Sequence, residues 1–233
     1  MKILAIGAHP DDIELGCGGV LLKSARQGHE VYMYTLTHGE ASGDPDQRIS
    51  ELKHSAKLIG AKTLWIDEFK DTHLSVTSDV INNIELCIKR SEPDIILTHS
   101  LRDTHHDHRA IAASTIEAGR FVPNILSYEI PLTKDFQPQI YYDISDVLNE
   151  KVKLIELFWS QQSKLYLKSH AIKGLAEYRA LQSRLNTSID FVEAFEIVKI
   201  GLDKEFKLLS IPKEKIPRNE QLERIVARNL LIF

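Results

Sequence analysis

The stretch KILAIGAHPDD at residues 2–12 passes from apolar to polar within a few positions. Its first part, KILAIG at 2–7, is the kind of short apolar run that forms a strand buried on both faces of a sheet. A histidine, a proline and two aspartates follow at once, so the chain leaves this strand into a polar loop. Ligands of open α/β sheets bind beyond the carboxyl ends of the strands, which makes this junction the first candidate for a functional site.

Apolar runs of the same kind recur along the first two thirds of the chain, separated by segments with helical periodicity. Strands that alternate with helices of 10–15 residues indicate βαβ units with right-handed crossovers. The pattern therefore predicts an α/β fold with a Rossmann-like, doubly wound and mostly parallel sheet. The predicted strands are 2–7, 30–36, 63–66, 94–98 and 125–130, and the predicted helices are 17–27, 46–59, 78–90 and 108–120.

The last third of the chain departs from this alternation. Residues 145–185 are predicted to be mainly helical, with further strands at 140–144 and 194–200. We expect a single domain over 1–200 with C-terminal helical additions. The segment 201–233 has mixed charge and ends in LLIF, which favours an extension packed on the domain or in a subunit contact, and a homo-oligomer stays open.

Composition and charge exclude several classes of function. The 233 residues carry a formal net charge of −4, without the basic field of a nucleic-acid-binding protein. No stretch reaches the 18 apolar residues of a membrane span, and the run at 3–8 is too short for a signal peptide. Cys17 and Cys87 are too few for a disulfide framework. We expect a cytoplasmic protein that acts on a small molecule.

A second polar segment, DTHHDH at 103–108, follows the predicted strand at 94–98. Four of the ten histidines lie within residues 99–108. In the common strand order 3-2-1-4-5, strands 1 and 4 are neighbours at the point where the order reverses. The two polar segments are therefore expected to face each other across one crevice.

Histidine and aspartate together suit a divalent cation, and imidazole nitrogen favours zinc over magnesium or calcium. Either segment alone is also compatible with a capped turn or a polar helix start, but their expected adjacency favours a metal site. The glycines of GCGG at 16–19 do not form the GxGxxG pattern of a dinucleotide-binding loop. Close helix packing is the simpler interpretation of that stretch.

The sequence resembles the LmbE/PIG-L family of zinc-dependent N-acetylglucosaminyl deacetylases. The resemblance covers about 1–200 and is most specific in two of its motifs, whereas the segment from 201 has no counterpart. The specific motifs are AHPDDIELGCGG at 8–19 and DTHHDHRA at 103–110, and the supporting ones are THGEASG at 37–43, Arg48-x-x-Glu51, YDIS at 142–145 with Lys151, Ser160-Gln161 and EAF at 193–195.

This resemblance implies a role for each matching residue. The implied zinc ligands are His9, Asp12 and His108, and the implied general base is Asp11. The resemblance further implies that His105 stabilises the oxyanion or protonates the leaving amine, that Asp107 orients His105, and that His106 has no primary role. Loop positions expected to face the substrate are Arg48, Asp71 and Glu40, with His38 and Asp103 as further loop candidates; for Arg48, a surface ion pair with Glu51 is the competing interpretation.

The function expected from the resemblance is removal of an acetyl group from an N-acetylated sugar of the N-acetylglucosamine type, or from its conjugate, by metal-activated water. Zn²⁺ is the expected cofactor, with Fe²⁺, Mn²⁺ and Co²⁺ left open. Two alternatives stay open: a hydrolase of another amide or ester, and a non-catalytic ligand-binding module with a structural metal. Asp11 and His105 distinguish them, since a structural site needs neither a spare carboxylate nor a further histidine.

Overall fold

The predicted strands form a single sheet in the computed structural model, which describes residues 1–185 and 188–202. Its order is β3-β2-β1-β4-β5-β7-β6, with the first five strands parallel and β7 antiparallel to both of its neighbours. The doubly wound α/β fold is confirmed, as is the adjacency of strands 1 and 4. The strands are β1 Lys2–Gly7, β2 Glu30–Thr37, β3 Thr63–Phe69, β4 Ile95–Thr98, β5 Ile125–Tyr128, β6 Ile140–Asp143 and β7 Val192–Lys199.

Helices cover both faces of this sheet, which explains why its central strand is apolar without interruption. Ile3 and Ala5 of β1 belong to a buried cluster with Leu21 on one face. Leu4 and Ile6 of the same strand belong to a second buried cluster on the other face. Successive side chains of a strand point to opposite faces, so both sets must be apolar. The helices are α1 Asp12–Arg26, α2 Pro45–Ile59, α3 Ser78–Ser91, α4 His106–Ala118, α5 Leu148–Glu156 and α6 Ser169–Ser183.

The first helix differs from its prediction. It begins at Asp12 rather than at residue 17, and Cys17 interrupts it with non-helical angles of φ −143° and ψ 16°. The predicted start therefore coincides with the second segment of a broken helix. Glycine has a low helix propensity, which hides the first turn within the stretch 12–19 from a periodicity argument.

The glycines at 16–19 allow close packing, as the sequence indicated. A Cβ added to Gly16 would lie 2.1 Å from the ring of Tyr128. One added to Gly19 would lie 2.8 Å from Ile144 and 3.0 Å from the carboxylate of Glu193. All three distances are shorter than van der Waals contact, so at Gly16 and Gly19 α1 approaches its neighbours too closely for any side chain.

Other boundaries agree with the predictions within a few residues. Helix α2 starts after Asp44, whose carboxylate accepts a hydrogen bond from Gln47 N at 2.8 Å, and ends at Gly60 with φ 81°. Helix α4 begins at His106, two residues before its predicted start, because His105 caps it by accepting from Asp107 N. The mainly helical segment 145–185 contains α5, α6 and two short 3-10 turns.

Most of the predicted extension over 201–233 lies outside the described residues, so its packing and the domain boundary at 200 stay predictions. Its first residue is described, and Gly201 N donates to Asn124 Oδ1 at 3.1 Å. None of the helices within 1–185 and 188–202 combines the length and the apolar character that crossing a membrane requires.

We expect Gly16→Ala to lower the free energy of unfolding by about 1–3 kcal/mol, because the new methyl group overlaps the Tyr128 ring. Gly174→Ala in α6 is the matched control, since an added Cβ there has no neighbour within 4 Å among the described residues. It should raise the free energy of unfolding by up to about 1 kcal/mol through helix propensity. Thermal unfolding of both variants checks the pair, and equal shifts would contradict the packing argument.

Candidate metal centre

The loop after β1 and the start of α4 meet at the carboxyl edge of the sheet. His9 lies in the loop after β1, Asp12 opens α1, and His108 lies in the first turn of α4. Their exposed fractions are 8%, 3% and 6%, so the structure buries all three polar side chains together. Burial of such groups is costly unless they are paired or coordinate a cation.

The spacing of the three side chains suits a small divalent cation. His9 Nδ1 lies 3.2 Å from His108 Nε2. The carboxylate of Asp12 lies 3.3 Å from each of these nitrogens, through Oδ2 to His9 and Oδ1 to His108. Tetrahedral zinc, with bonds of 2.0–2.1 Å, separates its ligand atoms by about 3.3 Å. The two nitrogens and the carboxylate therefore lie at distances that a tetrahedral cation spans, with Asp12 turning a different oxygen towards each histidine.

Carboxylates also face the second nitrogen of each histidine. His9 Nε2 lies 3.1 Å from Asp107 Oδ2 and 3.0 Å from Asp71 Oδ1. His108 Nδ1 lies 3.2 Å from Asp103 Oδ1. A metal-ligating histidine almost always has such a partner, which fixes its tautomer and orients its ring. The structure brings Asp71 and Asp103, which the sequence analysis placed in the substrate-facing loops, close to these nitrogens. Within the described residues, His108 Nδ1 makes no hydrogen bond, so its approach to Asp103 is an ion-pair contact only.

The electrostatics of the cluster favour positive charge. Burial alone would lower the pKa of His108, but Asp12 and Asp103 raise it to about 9. Burial alone would raise the pKa of Asp71, but the hydrogen bond and charge of His9 lower it to about 2. Carboxylates that stay ionised around imidazole nitrogens create a field that attracts a cation, which would bind in place of the imidazole protons.

Asp11 stands beside the three donors in a strained conformation. Its backbone has φ 113° and ψ −22°, a region that residues with a side chain rarely adopt. Burial and then repulsion by Asp12 raise the pKa of its carboxyl to about 6 against the attraction of Arg48, and a bound cation would pull that pKa down again. The chain thus holds a further carboxylate, paired with Arg48, next to the donor set at the expense of backbone strain.

Arg48 lies under Asp11 and is 1% exposed. Its Nη2 donates to Asp11 Oδ2 at 3.2 Å and to the carbonyl of Pro10 at 2.5 Å. Its Nη1 donates to the carbonyl of Gly39 at 2.8 Å, and a Cβ on Gly39 would lie 2.1 Å from that nitrogen. Arg48 therefore ties the loops after β1 and β2 together, and its direct contact with substrate stays a prediction.

His105 and Asp107 occupy the opposite side of the cluster. The half-buried ring of His105 lies 5.0 Å from that of His9 and 4.5 Å from that of His108, between centroids. Asp107 donates to His105 Nδ1 through its backbone N–H at 3.2 Å. Its carboxylate accepts instead from the backbone of Thr72 and Leu74 at 2.8 and 3.0 Å, besides contacting His9. Within the described residues, Asp107 orients His9 through its carboxylate and His105 through its backbone.

His99 is a member of the cluster that the sequence analysis did not single out. It is fully buried, its ring stacks on His108 at 4.0 Å, and its Nε2 lies 3.2 Å from Asp12 Oδ2. Burial and then the charge of His108 lower its pKa to about 4, so His99 stays neutral. Its position directly after β4 was the available signal, because that strand end meets the loop after β1.

A cavity of about 370 Å³ opens over the donor set and includes His105 and Arg48 in its wall. This volume lies within the range of small-molecule sites. The rest of the wall mixes apolar and polar side chains. It includes Leu15, Ala41, Ile130, Pro131, Leu132 and Tyr166 on the apolar side, and Ser42, Asp71, Thr72, Asp103, Thr104 and Lys164 on the polar side. Glu40 is exposed outside this wall and accepts from Asp71 N at 2.8 Å. His106 is exposed, as expected, with its Nε2 2.8 Å from the carbonyl of Thr72.

Comparison with known proteins identifies the family of the chain. The family model described as "PIG-L: GlcNAc-PI de-N-acetylase" matches residues 4–119. The uncharacterised deacetylase YaiS of Escherichia coli K12 is 36% identical over 153 residues, covering 62% of this chain and 82% of that protein. The diacetylchitobiose deacetylase of Thermococcus kodakarensis is 31% identical over 186 residues, covering 69% and 70%. The chain belongs to the PIG-L (LmbE) family.

Both polar segments fall inside the region that the PIG-L model matches. The fold of the family extends further along the chain. The crystal structure of GalB, a 4-carboxy-2-hydroxymuconate hydratase of Pseudomonas putida KT2440, superimposes with a TM-score of 0.77 at 21% identity. The superposition covers 88% of this chain and 99% of the GalB chain. This likeness concerns the fold and not the reaction.

The strain at Asp11 can be measured with two variants that both remove its carboxylate. We expect Asp11→Gly to have a higher free energy of unfolding than Asp11→Ala, by about 1–3 kcal/mol, because glycine adopts φ 113° without strain. Thermal unfolding of the two variants measures this difference. Both variants lose the contact with Arg48, so that loss cancels in the comparison. Equal stability of the two variants would contradict backbone strain at this position.

Proposed function

We propose that this protein is a zinc-dependent hydrolase that removes the acetyl group from the nitrogen of an N-acetylated sugar or sugar conjugate. The observation that carries the proposal is the triangle of donors from His9, Asp12 and His108, with the spare carboxylate of Asp11 beside it. A structural site would need no such carboxylate. Deacetylase relatives support the reaction type, and one of them is named for an N-acetylated sugar.

The donor set indicates which cation to expect. Two imidazoles and one carboxylate with an open position are typical of catalytic zinc. A cation held there lowers the pKa of a bound water to about 7 and polarises a carbonyl oxygen. Fe²⁺, Mn²⁺ and Co²⁺ accept similar ligands, so metal analysis of the purified protein decides between them.

Asp11 is the proposed general base. Its carboxylate takes a proton from the attacking water, and the resulting hydroxide adds to the acetyl carbonyl carbon. Arg48 keeps this carboxylate in place through its hydrogen bond to Oδ2. A positioned base of this kind contributes about 10²- to 10⁴-fold to the rate.

His105 is the proposed partner on the other side of the reacting carbonyl. It lines the cavity and is half-buried, so its ring can reach a bound substrate. It stabilises the negative charge on the carbonyl oxygen, in which case the proton that Asp11 took from water passes to the leaving nitrogen, or in its protonated form it donates that proton itself. The C–N bond then breaks, and acetate and a free amine leave. Asp107 is proposed as a positioning residue for both His105 and His9.

Substrate recognition is proposed to come from the cavity wall. Asp71 and Arg48 line the cavity, and Glu40, in the loop after β2, is proposed to contact the substrate from outside the wall. Asp71 Oδ2 already accepts a hydrogen bond from Ala41 N at 3.0 Å. A sugar hydroxyl that donates to this oxygen would therefore share it with the backbone. The proposed place of action is the cytoplasm, in keeping with two buried free thiols, Cys17 and Cys87.

We expect the purified protein to release acetate and a free amine from N-acetylglucosamine or its β-linked dimer, and a chelator to abolish this release until Zn²⁺ is restored. Coupled acetate detection across a panel of N-acetyl sugars measures it. If the protein hydrolyses only other amides or esters, the proposed substrate class is wrong. If it binds metal but turns over none of these substrates, a ligand-binding module is favoured. Because GalB has the same fold, water addition to an unsaturated acid belongs in the same panel.

Single variants separate the proposed roles. We expect His108→Ala to lose bound metal and activity together, whereas Asp11→Asn and His105→Ala retain metal and lose about 10²-fold or more in kcat. His106→Ala is the matched control, since it lies in the same motif but is exposed, and it should keep both properties. Metal stoichiometry and steady-state kinetics check the set. Normal turnover by metal-loaded Asp11→Asn would refute the assigned base.

A further inference from the structure

The break in α1 leaves backbone groups that a continuous helix would satisfy internally. Past Cys17, a new helical segment starts, and the first N–H groups of a helix have no carbonyl partner within it. The carboxylate of Glu193, from β7, takes these positions. Its Oε1 accepts from Gly19 N and its Oε2 from Val20 N, both at 2.7 Å. A bidentate carboxylate thus caps a helix start inside the protein.

Lys151, from α5, holds the other side of the same break. Its Nζ donates to the carbonyl of Leu15 at 2.7 Å and to Glu193 Oε1 at 2.6 Å. The two side chains are 6% and 2% exposed, so water does not compete for these bonds. One ion pair therefore links the end of the first segment of α1 to the start of the second.

The first segment is the part of α1 that carries Asp12, whose carboxylate contacts both His9 and His108. It is only one turn long, and an isolated turn of helix is unstable by itself. We propose that Lys151 and Glu193 form a positioning pair that fixes this turn, and through it Asp12, in the geometry that binds the cation. The proposal rests on the metal centre and does not depend on which acyl substrate is cleaved.

The energetics favour a positioning role over simple stabilisation. A buried ion pair contributes little net stability, because desolvation of its charges offsets their attraction, and apolar replacements are often as stable. Apolar side chains at both positions would leave the two N–H groups and the carbonyl at the break without partners. The ion pair therefore makes hydrogen bonds to the backbone groups at the break in α1, which apolar side chains could not make.

A second buried pair provides a matched control. Glu129, next to the end of β5, binds Arg179 of α6 in a bidentate contact, with both side chains less than 10% exposed. Neither residue is hydrogen-bonded to α1 in the described part of the chain. Disrupting this pair tests what the loss of a buried ion pair does by itself.

The experiment measures the affinity for Zn²⁺ alone, by competition with a chromophoric chelator, together with thermal unfolding. We expect Glu193→Gln and the double variant Lys151→Met/Glu193→Gln to bind Zn²⁺ at least about ten-fold more weakly than the wild type. The double variant removes the unpaired charge that a single change leaves, so it should recover stability without recovering affinity. The control Glu129→Gln/Arg179→Met should bind Zn²⁺ like the wild type.

Glu193→Asp covers the case in which the other variants do not fold. It keeps the charge opposite Lys151 but shortens the reach to Gly19 and Val20, and we expect weaker Zn²⁺ binding with a near-native unfolding temperature. Wild-type affinity in Glu193→Asp and in the folded double variant would overturn the positioning role, as would an equal loss in the control. A wild-type protein that binds no Zn²⁺ would overturn it together with the metal centre.

Discussion

The parallel pairing of β1 with β4 is the constraint on which the site depends. Ile3, Leu4 and Ala5 pair with Ile95, Ile96 and Leu97, so both strands end at the same edge of the sheet. Neither polar loop holds a complete donor set, because His9 and Asp12 come from one and His108 from the other. Strand order therefore assembles the donors, and the helices on both faces keep this order by burying β4 completely and β1 from Ile3 onwards.

The residues around the donors compensate for the free-energy cost of burying several polar side chains in one place. Carboxylates behind the two imidazoles offset the burial of ring nitrogens, and Arg48 offsets the burial of Asp11. The positive φ of Asp11 and the break at Cys17 place local strain and unpaired backbone groups within a few residues of Asp12. Such departures from regular geometry cluster at functional sites and persist where surrounding contacts hold them.

The sheet and the meeting of the two polar loops were predictable from the sequence, because buried parallel strands are apolar without interruption and their ends are polar. Helix α1 was placed too late, since the glycines that let it approach Tyr128 also weaken its periodic pattern. The carboxylates behind the histidines could not be recognised in advance. Asp71 lies far from His9 in sequence, and a loop aspartate that orients a ring looks like one that faces solvent. For Arg48, the resemblance implied a position facing the substrate, with a surface pair to Glu51 as the competing interpretation; its burial rules out the surface pair.

The donors His9 and His108 are separated by 99 positions in sequence, yet their ring nitrogens lie 3.2 Å apart. A cation bound between them is therefore also a cross-link that closes a loop spanning nearly half of the chain. Closing so long a loop restricts the unfolded ensemble, as a disulfide does, and ion binding adds its own free energy to folding. Protease resistance and cooperative unfolding of residues 9–108 should consequently follow the concentration of free metal, whatever substrate the cavity receives.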